Sequence, residues 1–113
     1  MTEITFYQNE TGEIIGFRSE GHADYADSGE DIVCAAISAL IINTINSIDE
    51  LTDDMIDVDI DEEEGYIDAS FFETPGKEAQ LLLRALALGL TNIEDDEAAT
   101  DYIDVIFEEV GTC

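Results

Sequence analysis

The chain has 113 residues, 29 of them acidic and three basic (Arg18, Lys77 and Arg84), for a formal net charge of −26. That length supports a single domain over residues 1–113 with one modest core and a folded radius of roughly 13 Å, which excludes a multidomain enzyme; 45% hydrophobic residues and a single proline exclude a disordered acidic segment. Three scattered cations form no basic stripe, so nucleic acid and anionic membrane surfaces are excluded as direct ligands, while the negative field favours a basic partner.

Ile4 and Phe6 alternate with Glu3 and Thr5, and Asn9-Glu10-Thr11-Gly12 supplies turn chemistry before a β-rich run from Ile14 to Arg18; together they predict a hairpin. Residues 19–31 are small, polar and twice interrupted by glycine, the pattern of a loop. From Ile32 to about Ile48 the chain is apolar almost all round, which predicts a helix covered on most sides: by the sheet and a partner subunit, or by the sheet and a second helix. Its most apolar run, Ile32 to Ile42, spans 11 residues, too short to cross a bilayer.

Ile56, Val58 and Ile60 alternate with Asp57, Asp59 and Asp61, giving a strand with one inward and one solvated face, and after a turn at 62–65 the run Tyr66 to Phe72 pairs back. Thr74-Pro75-Gly76 opens a second helix, about Lys77 to Ile93, which the acidic residues 94–101 end. Tyr102 to Phe107 alternates as a fifth strand before a short tail, Gly111-Thr112-Cys113. The order ββα-ββ-αβ predicts an α+β fold of two layers, a mainly antiparallel sheet of about five strands with two main helices.

Chemistry concentrates between Gly21 and Leu40. The only histidine, His22, stands in the predicted loop, and Cys34 lies just inside the helix that follows. A thiol near a helix N-terminus feels the positive end of the macrodipole and unpaired backbone N–H groups, and a neighbouring imidazole completes a nucleophile and general base. The same N–H groups suit an oxyanion. Two N-caps fit: Ser28, which puts Cys34 in the second turn, or Asp31, which puts it at the third helical position and is the preferred choice. Elsewhere the chemistry is sparse. Asp57-x-Asp59-x-Asp61 has the spacing of a calcium loop, but Glu62 stands where such a loop needs glycine. Cys34 and Cys113 lie far apart with no CxxC, so neither a zinc site nor a disulfide framework is expected, and Cys113 reads as an exposed tail thiol. The start, Met-Thr-Glu-Ile-Thr, has no signal-peptide character, so a cytoplasmic, reduced protein is expected.

Gly21-His22-Ala23, followed by Gly29-Glu30-Asp31-Ile32-Val33-Cys34-Ala35-Ala36-Ile37-Ser38-Ala39-Leu40, resembles the signature of the bacterial ribosomal-processing cysteine proteases, the Prp family. The element order fits over nearly the whole chain, and Glu78-Ala79-Gln80 resembles the opening of the family's second helix. The resemblance implies a small homodimeric cysteine endopeptidase, with no cofactor and no metal, that removes a short N-terminal extension from a large-subunit ribosomal protein, number twenty-seven in the bacterial series. It implies Cys34 as nucleophile and His22 as its base, Gly21 letting the His loop move over substrate, and supporting roles for Asp31 and Ser38. Asp24, Asp27 and Asp31 all remain open as the group orienting His22. The acidity suits a basic ribosomal protein as substrate and equally suits a salty habitat. Two rival readings stand beside the protease: an acidic binding module or assembly chaperone for a basic ribosomal protein, with Cys34 as core, and a redox-sensing thiol at Cys34.

Overall fold

Asn9 closes the first hairpin. Its side-chain oxygen accepts hydrogen bonds from the backbone N–H groups of Thr11 (3.0 Å) and Glu13 (2.9 Å), the local competition that makes asparagine a turn former. In the computed structural model, which describes residues 1–21, 28–61 and 63–110, this turn joins β1 (Thr2–Gln8) to β2 (Ile14–Glu20). Of residues 28–31 the backbone alone is described. The two strands pair antiparallel with Phe6 opposite Phe17, so Ile4, Phe6, Phe17 and Ser19 share the buried face.

The remaining elements are α1 (Ser28–Leu51), β3 (Ile56–Asp61), β4 (Tyr66–Phe71), α2 (Lys77–Glu94) and β5 (Ile103–Glu109). One five-stranded sheet runs in the order β3-β4-β2-β1-β5, antiparallel except for the parallel β1–β5 pair. This is the α+β architecture the sequence predicts, with both helices contributing to one core. Asp57, Asp59 and Asp61 alternate with Ile56, Val58 and Ile60 along β3, and their register carries them to the same outer face as Asp68 and Arg18.

Two expectations change. The predicted loop at 19–31 loses both ends, since β2 continues through Glu20 and α1 begins at Ser28. Asp31 therefore lies inside the first turn of α1 instead of capping it. The second correction concerns length: Ile32–Leu51 is 20 residues with a mean hydropathy of 1.7, long and apolar enough to cross a membrane by length and composition. The most apolar run ends at Ile42, and the pairs Asn43-Thr44 and Asn46-Ser47 beyond it lower the average, but Ile45 and Ile48 keep the longer segment apolar.

Core packing accounts for one stripe of that apolarity. Val33, Ile37, Ile41, Thr44 and Ile48 recur at helical spacing and are buried, Ile41 and Ile48 completely. Helix α2 presents a matching stripe of Ala79, Leu83, Leu86, Ala87 and Leu90. The helices touch where Gly89 faces Leu40, close enough that a Cβ on Gly89 would stand 3.3 Å from a Leu40 methyl. Both covers foreseen for α1, sheet and second helix, are thus present, yet Ile32 (70% exposed), Ile42 and Leu51 remain on the surface.

Side chains lock α2 to the sheet. The amide of Gln80 donates to the Ile14 carbonyl (2.8 Å) and accepts from the Ile14 N–H (2.9 Å), replacing a ladder partner on β2. Glu94 accepts from the Val105 N–H and fixes the start of β5.

Candidate active site

Cys34 is the seventh residue of α1, near the end of its second turn. The orphan N–H groups of a helix belong to its first four residues, and the dipole's influence falls off within the first turn. The preferred sequence reading, with Asp31 as cap and Cys34 at the third position, therefore does not hold. The N–H groups at the helix start belong to residues 28–31, a turn before the sulfur.

The half-buried Cys34 borders a cleft of about 350 Å³. From α1 come Cys34, Ile37, Ser38, Ile41 and Ile42, successive positions on one helical face. Thr2, Ser19 and Gly21 contribute from the β1–β2 side, and Ile60, Asp61, Gly65, Tyr66 and Ile67 from the β3–β4 hairpin. The cleft's helix wall is largely apolar, with Cys34 and Ser38 as its polarisable and polar members.

Glycines set the rim. Gly65 takes φ = 73°, a left-handed turn conformation, and its carbonyl accepts from the Gly21 N–H at 3.0 Å. A Cβ on Gly21 would lie 2.7 Å from the Met1 carbonyl oxygen and 2.8 Å from the Thr2 Cα. Glycine is required here because the backbone of the first two residues passes directly against it. That demand is independent of loop motion, the role the sequence resemblance implies.

Thr2, which sequence reasoning did not single out, is 8% exposed, and its Oγ1 lies 3.5 Å from Cys34 Sγ, within hydrogen-bond reach of sulfur. Nothing local could have signalled it, since the two residues meet only when β1 and α1 are packed together. Ser38, one turn after Cys34, lines the cleft and is exposed. The backbone of Asp31 is placed in the first turn of α1, but its side chain lies outside the described residues, as do His22, Asp24, Asp27 and Cys113 in full.

At the cleft's edge Tyr66 donates to Asp59 (3.3 Å) while the Arg18 guanidinium stacks over its ring at 4.3 Å. The Asp59 carboxylate, with burial and the hydrogen bond adding to it, raises the Tyr66 pKa, so its hydroxyl stays protonated and available as a donor. Arg18 is itself held by Glu20 (2.7 Å) and Asp68 (2.9 Å), hydrogen bonds that raise its pKa further.

Residues 1–104 match the family described as Cysteine protease Prp. The ribosomal processing cysteine protease Prp of Staphylococcus aureus is 32% identical over 96 residues, covering 85% of this chain and 91% of that protein. Its Bacillus subtilis counterpart is 32% identical over 100 residues, covering 85% and 89%. The crystal structure of the S. aureus protease with a substrate peptide superposes with a TM-score of 0.87 at 29% identity, over 96% of this chain and all of that one. The same protease with a covalently linked product peptide gives 0.84 at 30%, again over 96% and 100%. A cleft walled by a helical cysteine, on a fold shared end to end with these peptidases, leaves one assignment: the chain belongs to the Prp family of cysteine proteases.

Proposed function

We propose that the chain is an endopeptidase that removes the N-terminal extension of the large-subunit ribosomal protein numbered twenty-seven, with Cys34 as nucleophile and His22 as its base. The observation that carries this reading is the Cys34 sulfur at the wall of an open, largely apolar cleft in a Prp-family chain. The S. aureus relative, seen with both substrate and covalently linked product peptides, supports a peptide in the corresponding groove. His22 follows directly on Gly21, which borders the same cleft.

In this mechanism His22 takes the thiol proton and the Cys34 thiolate attacks the scissile carbonyl. The tetrahedral intermediate collapses as His22 passes that proton to the leaving amine, forming a thioester between Cys34 and the new carboxyl end. His22 then deprotonates a water that attacks the thioester, and the departing sulfur is reprotonated. Asp31 and Ser38 have supporting roles, Ser38 by bordering the cleft one turn from the sulfur. The net charge of −26 concentrates a basic substrate by steering and disfavours nucleic acid as a direct ligand. A ribosomal-protein substrate places the activity in the cytoplasm.

The test is mass spectrometry of a synthetic peptide spanning the extension, incubated with wild type and with Cys34→Ala. A single cut by wild type alone is the expected result. Cleavage retained by Cys34→Ala removes the nucleophile assignment, and an intact peptide that still binds both proteins favours the acidic binding module.

The uncovered side of α1 supports a homodimer. Ile32, Ala35, Ala36 and Ala39 are exposed on it, an apolar strip beside the cleft that a second copy of the chain would bury. Light scattering at micromolar concentration should give twice the 12.4 kDa chain mass, and Ile32→Glu should return it to 12.4 kDa.

A further inference from the structure

We infer that Thr2 is a working part of the catalytic site, its hydroxyl donating a hydrogen bond to the Cys34 thiolate. The inference rests on Cys34 being the nucleophile. Three observations converge. The Thr2 Oγ1 stands 3.5 Å from Cys34 Sγ, within hydrogen-bond reach of the sulfur. Thr2 is also held rigidly: its N–H donates to the Tyr102 carbonyl at 2.8 Å, its backbone pairs with Ile103 of β5, and Gly21 is pressed against its Cα. Finally, Cys34 lies beyond the first turn of α1, where the helix's own field is weak, so stabilisation of a charged sulfur has to come from groups that touch it.

In the thiol state either atom can donate. Once the sulfur has lost its proton only the hydroxyl can, and a hydrogen bond to a charged acceptor is stronger than one to a neutral acceptor. The bond therefore favours thiolate over thiol. Thr2 transfers no proton in this scheme; it keeps its own and offers it to the sulfur. Its Cα and hydroxyl also lie against Gly21, the residue that precedes His22 in the chain.

The test compares wild type, Thr2→Val and Thr2→Ser in the full chain, following iodoacetamide alkylation of Cys34 by mass spectrometry across pH. Valine keeps the β-branched shape that suits a strand and exchanges the hydroxyl for a methyl group. Loss of one charge-assisted hydrogen bond displaces the alkylation profile upward by about one pH unit. Because a thiolate freed from a hydrogen bond is also more nucleophilic, Thr2→Val should react about threefold slower at neutral pH yet about threefold faster on the alkaline plateau. Thr2→Ser should retain the wild-type profile. A wild-type profile in Thr2→Val, or a Thr2→Ser profile as displaced as that of valine, overturns the inference. Should Thr2→Val not fold, Thr2→Ala carries the same comparison. Alkylation needs no substrate, so failure here leaves the nucleophile assignment standing, while cleavage by Cys34→Ala removes that assignment and with it this inference.

Discussion

At Gly21 a single missing side chain lets two other pieces of backbone converge beside the cleft. Residues 1 and 2 pass against it and the β3–β4 turn holds its N–H, one residue before His22 in the chain. Gly21→Ala brings its Cβ against the backbone of Met1 and Thr2, not against a flexible side-chain tip, so β1 has to shift. We expect a loss of about 1–3 kcal/mol in urea denaturation, in the range of overpacking a filled site, accompanied by slower cleavage. A glycine needed only for loop motion would lose cleavage at unchanged stability, so measuring both separates the two roles. The GHA signature made Gly21 legible in the sequence, but the reason for it was not: the steric demand comes from residues 1 and 2, which the order of the chain does not bring near.

Among the elements, what was legible is what periodicity encodes. The alternation of Ile4 and Phe6, of Ile56, Val58 and Ile60, and the helical spacing in α2 yield strands and a helix with boundaries close to those observed. The start of α1 is hard to read because Ser28, Gly29 and Asp31 are poor helix-interior residues by propensity, yet with Glu30 they form its first turn. Nor could the parallel pairing of β1 with β5 be read, since alternation gives a strand its faces and not its neighbours. Gln80 is a similar case: the sequence places it in the second helix and in a family likeness, but not its amide's service to Ile14 through both donor and acceptor. Gln80→Met keeps the side chain's length but leaves the N–H and C=O of a buried residue unpaired. The expected loss is about 2–4 kcal/mol in urea denaturation, from two unsatisfied backbone groups. A loss under about 0.5 kcal/mol, the size of an ordinary surface substitution, would show that water replaces the amide.

For the whole molecule, charge and connectivity matter most. The outer sheet face gathers Asp57, Asp59, Asp61 and Asp68 around Arg18 within a chain of net charge −26. Self-repulsion on this scale is screened within roughly 10 Å at 0.1 M salt, so the thermal midpoint should rise as sodium chloride is added, read by scanning calorimetry. The same addition should lower kcat/KM for a basic peptide, because steering is screened along with the repulsion; a rate indifferent to salt would leave the acidity without a part in substrate capture. The parallel β1–β5 pair has a temporal consequence. The strand that seats Thr2 against Cys34 is held by Tyr102 and Ile103, close to the other end of the sequence, and such distant pairing forms late because loop closure precedes its reward. During synthesis the thiol leaves the ribosome long before the strand that completes its surroundings. A nascent chain is thus a peptidase with its site still unassembled, and competence arrives only with the last strand.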